Sequence, residues 1–245
     1  MNDPPRGPRV AFMAPMKPEL RPLVEMVPLQ RVEDSTTPSH RGSIGDVEVV
    51  AAMTGIGMQP ARQVTEQLLD AVDVDHVIVV GIAGGVGPTV DIGDLVVPEV
   101  VVDGPSGTEY RPQQLGEVAP RGTIVSSDAF DYEPGVIAGF IDDGVVALDM
   151  ETAAVASVCE ARGCPWSAFR AISDRGDDDT VDKAVLELAG PDGSGNMSAV
   201  ARYLLRRPWK IIHLARLAKG SNVATRAAAT AAIDAVAKKR WDIAR

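Results

Sequence analysis

Several things are scarce in this 245-residue chain, and each scarcity excludes a class of protein. It has only two cysteines, Cys159 and Cys164, which rules out a disulfide framework. Their C-x4-C spacing has no His or Cys cluster beside it to complete a zinc site. In apolar surroundings both read as ordinary buried thiols. The histidines, His40, His76 and His213, stand in three separate contexts, and no pair has metal-ligand spacing. Of these only His40, in a polar loop, is placed to reach a pocket. No run approaches the roughly 18 apolar residues that span a bilayer, so no membrane partner is expected. Met1 to Arg9 is polar and holds three prolines, unlike a secretory signal; a cytoplasmic location is the expectation. Basic charge is also short, with 24 Lys and Arg against 34 Asp and Glu and a net charge of −10. That speaks against a nucleic-acid binder, because phosphates are held by cationic surfaces. The average conceals a division: residues 1–196 carry −19 and residues 197–245 carry +9.

What the chain does have is 45% apolar residues arranged as alternating strand and helix signals. Val10 to Ala14 reads as a buried strand feeding a loop through Pro15 and Pro18. A polar stretch, Arg31 to Gly45, precedes a second strand, Val47 to Met53, and Pro60 to Val72 is helical in pattern. The β-branched run His76 to Val80 suits a fully buried strand ending in the glycine-rich turn Gly81 to Gly87. Further strands are expected over Asp94 to Val102, Gly122 to Ser126, Val145 to Leu148 and Trp166 to Ile172. Thr152 to Arg162, Ala-rich and stopped by Gly163, predicts a helix with a glycine at its C-terminus. The acidic stretch Asp174 to Asn196, with a short helical piece at Val181 to Leu188, is the most mobile candidate. Basic helices follow, one kinked near Arg207 by Pro208 and another over Val223 to Trp241. Trp166 reads as core, whereas Trp209 and Trp241 read as pins for helices. Strands alternating with helices argue for an α/β fold with a largely parallel or mixed sheet covered on both faces. The division is residues 1–8 as a flexible N-terminus, 9–196 as the α/β domain, and 197–245 as basic C-terminal helices packed on the same domain.

Three constellations bear chemistry. The turn Gly81 to Gly87 follows a buried strand, so its backbone can approach a ligand closely; a tight turn needing positive φ explains it equally well. It lacks the Gly-Lys-Ser/Thr of a P-loop and the spacing of a dinucleotide fingerprint, so neither signals a cofactor. Asp149-Met150-Glu151 places two carboxylates and a thioether where a strand opens a helix. Carboxylates there accept hydrogen bonds from vicinal sugar hydroxyls, or else form an N-cap and an acidic first turn. Ser173-Asp174 ends a strand, and Glu19 follows the first one. Ligands of open α/β sheets bind at the carboxyl ends of strands, where two carboxylates can divide acid and base roles.

Taken in order, these segments resemble a known signature. Gly81-Ile82-Ala83-Gly84-Gly85, Asp91-Ile92-Gly93-Asp94-Leu95-Val96-Val97-Pro98, Leu148 to Ala154 and Arg170-Ala171-Ile172-Ser173-Asp174 are similar to the nucleoside phosphorylase/nucleosidase superfamily. Ala14 to Leu20 and Thr54-Gly55-Ile56-Gly57 fit it upstream, and the resemblance spans about residues 9–182. It implies a single α/β domain with a twisted mixed β-sheet flanked by helices, and cleavage of an N-glycosidic bond in a purine nucleoside; no cofactor or metal is expected. Carried over, Asp174 resembles the acid at purine N7, and Met150 and Glu151 the ribose-binding pair. Phe130, in Ser127-Asp128-Ala129-Phe130, resembles the aromatic that stacks on the base, and Ala83 and Gly84 match the turn beside sugar and base. A homo-oligomer, most simply a dimer, is implied as well.

The acceptor is either water or phosphate. Family phosphorylases hold phosphate with arginines and a hydroxyl residue near the glycine-rich turns. Here Ile82 stands where Ser or Thr is usual, and no arginine adjoins Thr54 to Gly57 before Arg62. Glu19 falls where the methylthioadenosine/S-adenosylhomocysteine nucleosidase branch has its water-activating carboxylate, and a carboxylate there repels phosphate. Two departures stand against that branch: Ile82 replaces a Ser usual there too, and Lys17-Pro18 replaces acidic residues. The expectation is a purine nucleosidase of adenosine-type nucleosides with Glu19 and Asp174 as catalytic residues. A phosphate-dependent phosphorylase and a non-catalytic nucleoside-binding module are the alternatives.

Overall fold

The computed structural model describes residues 6–32, 39–129, 133–175 and 211–241. Expectations for Phe130, Val181 to Leu188, Trp209, His213's side chain and the basic helix near Arg207 lie outside those residues. Strands β1 (Arg9–Ala14), β4 (Val47–Met53) and β5 (His76–Gly85) form the centre of an 11-stranded mixed sheet. The order is β2 (Gln30–Val32), β3 (Ser39–Ile44), β4, β1, β5, β10 (Val145–Asp149), β9 (Thr123–Ser126), β7 (Val100–Asp103) and β8 (Glu109–Tyr110). A branch leaves β5 through β11 (Trp166–Arg175) to β6 (Leu95–Val96). β1 runs parallel to β4 and β5, β11 parallel to β5, and β10 antiparallel to β5.

Because side chains alternate across a strand, both faces of the central strands are apolar. Ala11, Met13, Val77 and Val79 face one core. It is shared with α2 (Met58–Ala71) and α4 (Thr152–Ala161). Val10, Phe12, Ile78 and Val80 face the other, under α1 (Lys17–Met26) and the long α5 (Ile211–Lys238). A further helix, α3 (Pro134–Asp142), lies against the β10 edge. α5 reaches the sheet with alanines, Ala224, Ala228, Ala229, Ala232 and Ala235, all buried. At Gly220 the contact is closer still, since a Cβ there would lie 2.6 Å from the Ser173 carbonyl oxygen. Two of its exposed cations pair with acids of the body, Arg226 with Glu25 and Lys238 with Glu117. Among the described residues no helix is long and apolar enough to cross a membrane.

The sequence expectations for β4, β9, β10 and α4 match within a residue or two, and Gly163 follows α4 with φ +64°. Five differ. Glu19 belongs to the first turn of α1 rather than a loop, because Pro18 occupies the opening positions where a missing N–H costs nothing. Pro22 is tolerated one turn further on. The stretch Arg31 to Gly45 contains the β2–β3 hairpin, in which His40 pairs with Ala51 on the far side of β4 and not at a pocket. Asp94 to Val102 splits into β6 and β7 around Pro98. The expected turn from Gly81 is strand through Gly85, and in that run only Gly87 has positive φ, +77°. Trp166 to Ile172 extends to Arg175, carrying Ser173 and Asp174 within β11.

Candidate active site

β5 is where the sheet divides. On one edge it pairs with β1 through His76 to Val79 and with β10 only at Gly84 and Gly85. Between these contacts the strands on that edge separate, as at the switch points where α/β proteins place ligands. The Ile82 amide opens into this gap and donates to Glu19 Oε1 at 2.8 Å. Gly81 keeps the space clear: a Cβ there would lie 2.1 Å from Glu19 Oε1 and 2.5 Å from Arg170 Nη1. So its glycine serves close approach, not positive φ.

Arg170, from the middle of β11, is fully buried and surrounded by carboxylates. Its Nη2 lies 2.7 Å from Asp149 Oδ2 and 3.1 Å from Glu151 Oε2, and its Nη1 lies 3.7 Å from Glu19 Oε1. Arg170 Nε donates to Thr152 Oγ1 at 3.0 Å. A buried charge must be paired, and here one cation serves three buried acids. Burial works against the Arg170 charge, but the three carboxylates outweigh it and hold its pKa above the ordinary value. Burial, opposed by Arg170 and reinforced by Glu151, pushes Glu19 up to about 8. Glu151 is pushed up to about 7, again chiefly by burial, with Arg170 opposing and Asp149 adding. Two buried polar atoms are left without a hydrogen-bond partner at this place, Glu19 Oε2 and Arg170 Nη1.

Glu151 is held from a second side. The Gly57 amide, at the N-terminus of α2, donates to its Oε1 at 3.0 Å. Gly57 has φ +104°, a conformation that favours glycine. The next amide, of Met58, donates to Asp128 Oδ1 at 2.7 Å. The orphan donors of a helix start therefore fix two carboxylates. Met150, half-buried, lies between Asp149 and Glu151.

Asp174 is reached through a β-bulge. The register passes from Ile172 against Ala83 to Asp174 against Gly84, leaving Ser173 as the extra residue. Bulges re-aim side chains at functional sites. The Ser173 hydroxyl lies 2.5 Å from Asp174 Oδ1, to which it donates, and 3.4 Å from the Ala83 carbonyl oxygen. Burial pushes the Asp174 carboxyl above its ordinary range, with the Ser173 hydrogen bond opposing. A position for Cβ on Gly84 lies 3.6 Å from Asp174 Oδ2, so Ala83, Gly84 and Asp174 are neighbours.

The structure thus gathers Glu19, Glu151 and Arg170 in one cluster, and Ala83, Gly84 and Asp174 beside it along β5. Phe130 lies outside the described residues. Arg170, Asp149 as a buried anchor, Gly57 and Asp128 were not singled out from sequence. For Arg170 a signal existed: an arginine inside the apolar run Trp166 to Ile172 has to be met by buried acids. No group of three or more His, Cys, Asp or Glu residues that could hold a metal occurs among the described residues. The cavity of about 580 Å³ between β7, β9 and β10 holds none of the clustered carboxylates. Only its Ser127–Ala129 rim adjoins the segment bearing Asp128.

This mixed sheet with helices on both faces is the nucleoside phosphorylase-like α/β fold. It aligns with the 5′-methylthioadenosine/S-adenosylhomocysteine nucleosidase of Neisseria meningitidis in complex with methylthio-immucillin-A. The TM-score is 0.72 at 21% identity, covering 94% of this chain and 99% of that one. Futalosine hydrolase of Helicobacter pylori aligns with a TM-score of 0.70 at 19% identity, covering 94% and 97%. In sequence, the 5′-methylthioadenosine/S-adenosylhomocysteine nucleosidase of Chromohalobacter salexigens is 33% identical over 165 residues. That alignment covers 55% of this chain and 70% of the relative. The model of the Phosphorylase superfamily matches residues 9–119 and 110–206, and the chain belongs to that superfamily.

Proposed function

We propose that the chain is a purine nucleosidase that hydrolyses the N-glycosidic bond of an adenosine-type nucleoside to free base and sugar. The observation that carries this is the pair of buried, unpartnered atoms Glu19 Oε2 and Arg170 Nη1, one acceptor and one donor at the same place. A water molecule between them would be oriented by the guanidinium and deprotonated by the carboxylate. Its oxygen bonds to the anomeric carbon as the carbon–nitrogen bond breaks and the bonding pair passes to the purine. The water proton goes to Glu19, and Asp174 supplies a proton at N7 of the departing base. Burial raises the Asp174 carboxyl above its ordinary range, the direction that suits a proton donor. Glu151, fixed by Gly57 and Arg170, accepts from the ribose hydroxyls, with Met150 as an apolar wall. Phe130 is assigned to the base, and Ala83 and Gly84 to the floor beneath sugar and base.

Water is favoured over phosphate because three buried carboxylates share one buried arginine, and a dianion brought among them is repelled. The relatives named as methylthioadenosine/S-adenosylhomocysteine nucleosidases support a 5′-thio-substituted adenosine. The fold shared with a futalosine hydrolase makes the 5′ substituent the question to ask of the protein. The test is a panel of methylthioadenosine, S-adenosylhomocysteine, adenosine, inosine and futalosine, with and without phosphate, monitored for free base. Release of base and free sugar at a rate independent of phosphate is expected; a sugar 1-phosphate product would replace this function with a phosphorylase. Asp174→Asn is expected to lower turnover by ~10²–10⁴ with the fold intact, and near-normal turnover would remove the acid assignment. The same function carries the expectation of a homo-oligomer, most simply a dimer. A monomer in sedimentation with full turnover would set that aside.

A further inference from the structure

We propose that Asp149 is a positioning residue that holds Arg170 away from Glu19, leaving one guanidinium nitrogen without a hydrogen-bond partner and Glu19 able to exchange a proton. The inference rests on the nucleosidase function proposed above and concerns a residue given no role in it so far. Asp149 ends β10, and its side chain is 1% exposed. Five donors converge on it. Oδ1 accepts from Ser126 Oγ at 2.5 Å, from Thr152 N at 3.2 Å and from Glu151 N at 3.3 Å. Oδ2 accepts from Thr152 Oγ1 and pairs with Arg170 Nη2 at 2.7 Å.

The direction of each bond in this network is fixed by its neighbours. Ala153 N donates to Ser126 Oγ at 3.0 Å, so that hydroxyl turns its own proton to Asp149. Arg170 Nε donates to Thr152 Oγ1, so that hydroxyl does the same. Every chain terminates on Asp149 as an acceptor, and its cationic partner is Arg170. Asp149 is therefore the standing counter-ion of Arg170. It holds Nη2 directly and Nε through Thr152, and it leaves Nη1 as the nitrogen without a hydrogen-bond partner.

Glu19 is held quite differently. The Ile82 amide donates to its Oε1, its Oε2 has no partner, and it lies 3.7 Å from Arg170 Nη1, beyond hydrogen-bond reach. The charges acting on Arg170 come from Asp149 on β10, Glu151 at the start of α4 and Glu19 on α1. One cation shared among three buried acids leaves at least one of them prone to carry a proton, and the geometry gives that place to the acid held most loosely. Were Asp149 uncharged, Arg170 would pass to Glu19 and Glu151, and the base would be bound as an inert ion pair.

The test is Asp149→Asn, similar in shape without the charge, in the full chain labelled with ¹³C at glutamate carboxyls. The Glu19 resonance is assigned by its loss in Glu19→Gln. Asp149→Asn is expected to lower the Glu19 titration midpoint by about one pH unit or more, the scale of a carboxylate gaining an arginine partner. The acid limb of kcat/KM should move the same way, with kcat reduced at least tenfold. Reduced turnover with the titration and the limb both unmoved would overturn the proposal and leave Asp149 a structural anchor only. Should Asp149→Asn fail to fold, Thr152→Val, which cuts the Nε branch, is expected to move the midpoint in the same direction by less; no movement overturns the proposal. The titration is read without substrate. A wild-type protein that released no base from any nucleoside would therefore sink the nucleosidase function while leaving this inference to its own result.

Discussion

Glu19 concentrates the conflict between stability and chemistry in one side chain. A carboxylate with one unpartnered oxygen is buried, and its proton is held up to about 8 against an ordinary 4.5. Because the folded value lies above the unfolded one, protonation favours the fold. This stabilisation is fully present below about pH 4.5 and is lost as the pH rises toward 8. Glu19→Gln cannot titrate, so its melting temperature should decline less than that of the wild type between pH 5 and 8. Its turnover should fall by ~10²–10⁴, the usual worth of a general base. Calorimetry across that range checks the first statement, and a variant as steep as the wild type would refute it. Glu19, Glu151 and Asp174 could be named from motif and strand-end position alone, because each stands beside a recognisable punctuation of the chain. Arg170 is not legible in that way, since what identifies it is the company of three acids from separate elements.

At the scale of elements, the two departures that matter both concern punctuation residues. Prolines 15 and 18 suggest a loop, yet Pro18 lies in the first turn of α1, where the N–H it gives up has no partner anyway. The glycines from Gly81 suggest a turn, yet they continue β5, because what they provide is absent side-chain volume rather than unusual dihedrals. Sequence patterning reports hydrophobic period and turn chemistry; it does not report which backbone must lie close to which side chain. The difference can be measured. Gly81→Ala drives a methyl into Glu19 and Arg170, both fully packed, and should cost about 1–3 kcal/mol in stability together with most of the activity. Gly84→Ala finds its nearest atom at 3.6 Å, an ordinary contact. It should melt with the wild type, with any loss falling on KM. Equal destabilisation by the two would contradict this account of the strand.

For the whole molecule, the uneven charge has a modest energetic meaning. Arg226 and Lys238 of α5 reach Glu25 and Glu117 across exposed surface at 3.2 and 3.3 Å. Exposed pairs of this kind contribute roughly 0–1 kcal/mol each and are screened by salt. The alanines and Gly220 against β5 and β11 hold the helix instead. Raising the salt to 0.5 M should therefore leave the melting temperature nearly unchanged; a fall of many degrees would show that charge, not packing, docks α5. The two-faced core was legible because β1 from Val10 and β5 from Val77 are apolar or glycine at every position. The β2–β3 hairpin was not, because its residues are polar on an edge that needs no buried face.

The parting of β1 and β10 along β5 has one last consequence, for what the chain is free to change. The donor that Glu19 receives there is the amide of Ile82, and an amide comes with every residue except proline. Position 82 can therefore exchange a hydroxyl side chain for an aliphatic one, and adapt its half-buried surface to a different ligand, while the hydrogen bond to Glu19 is inherited unchanged.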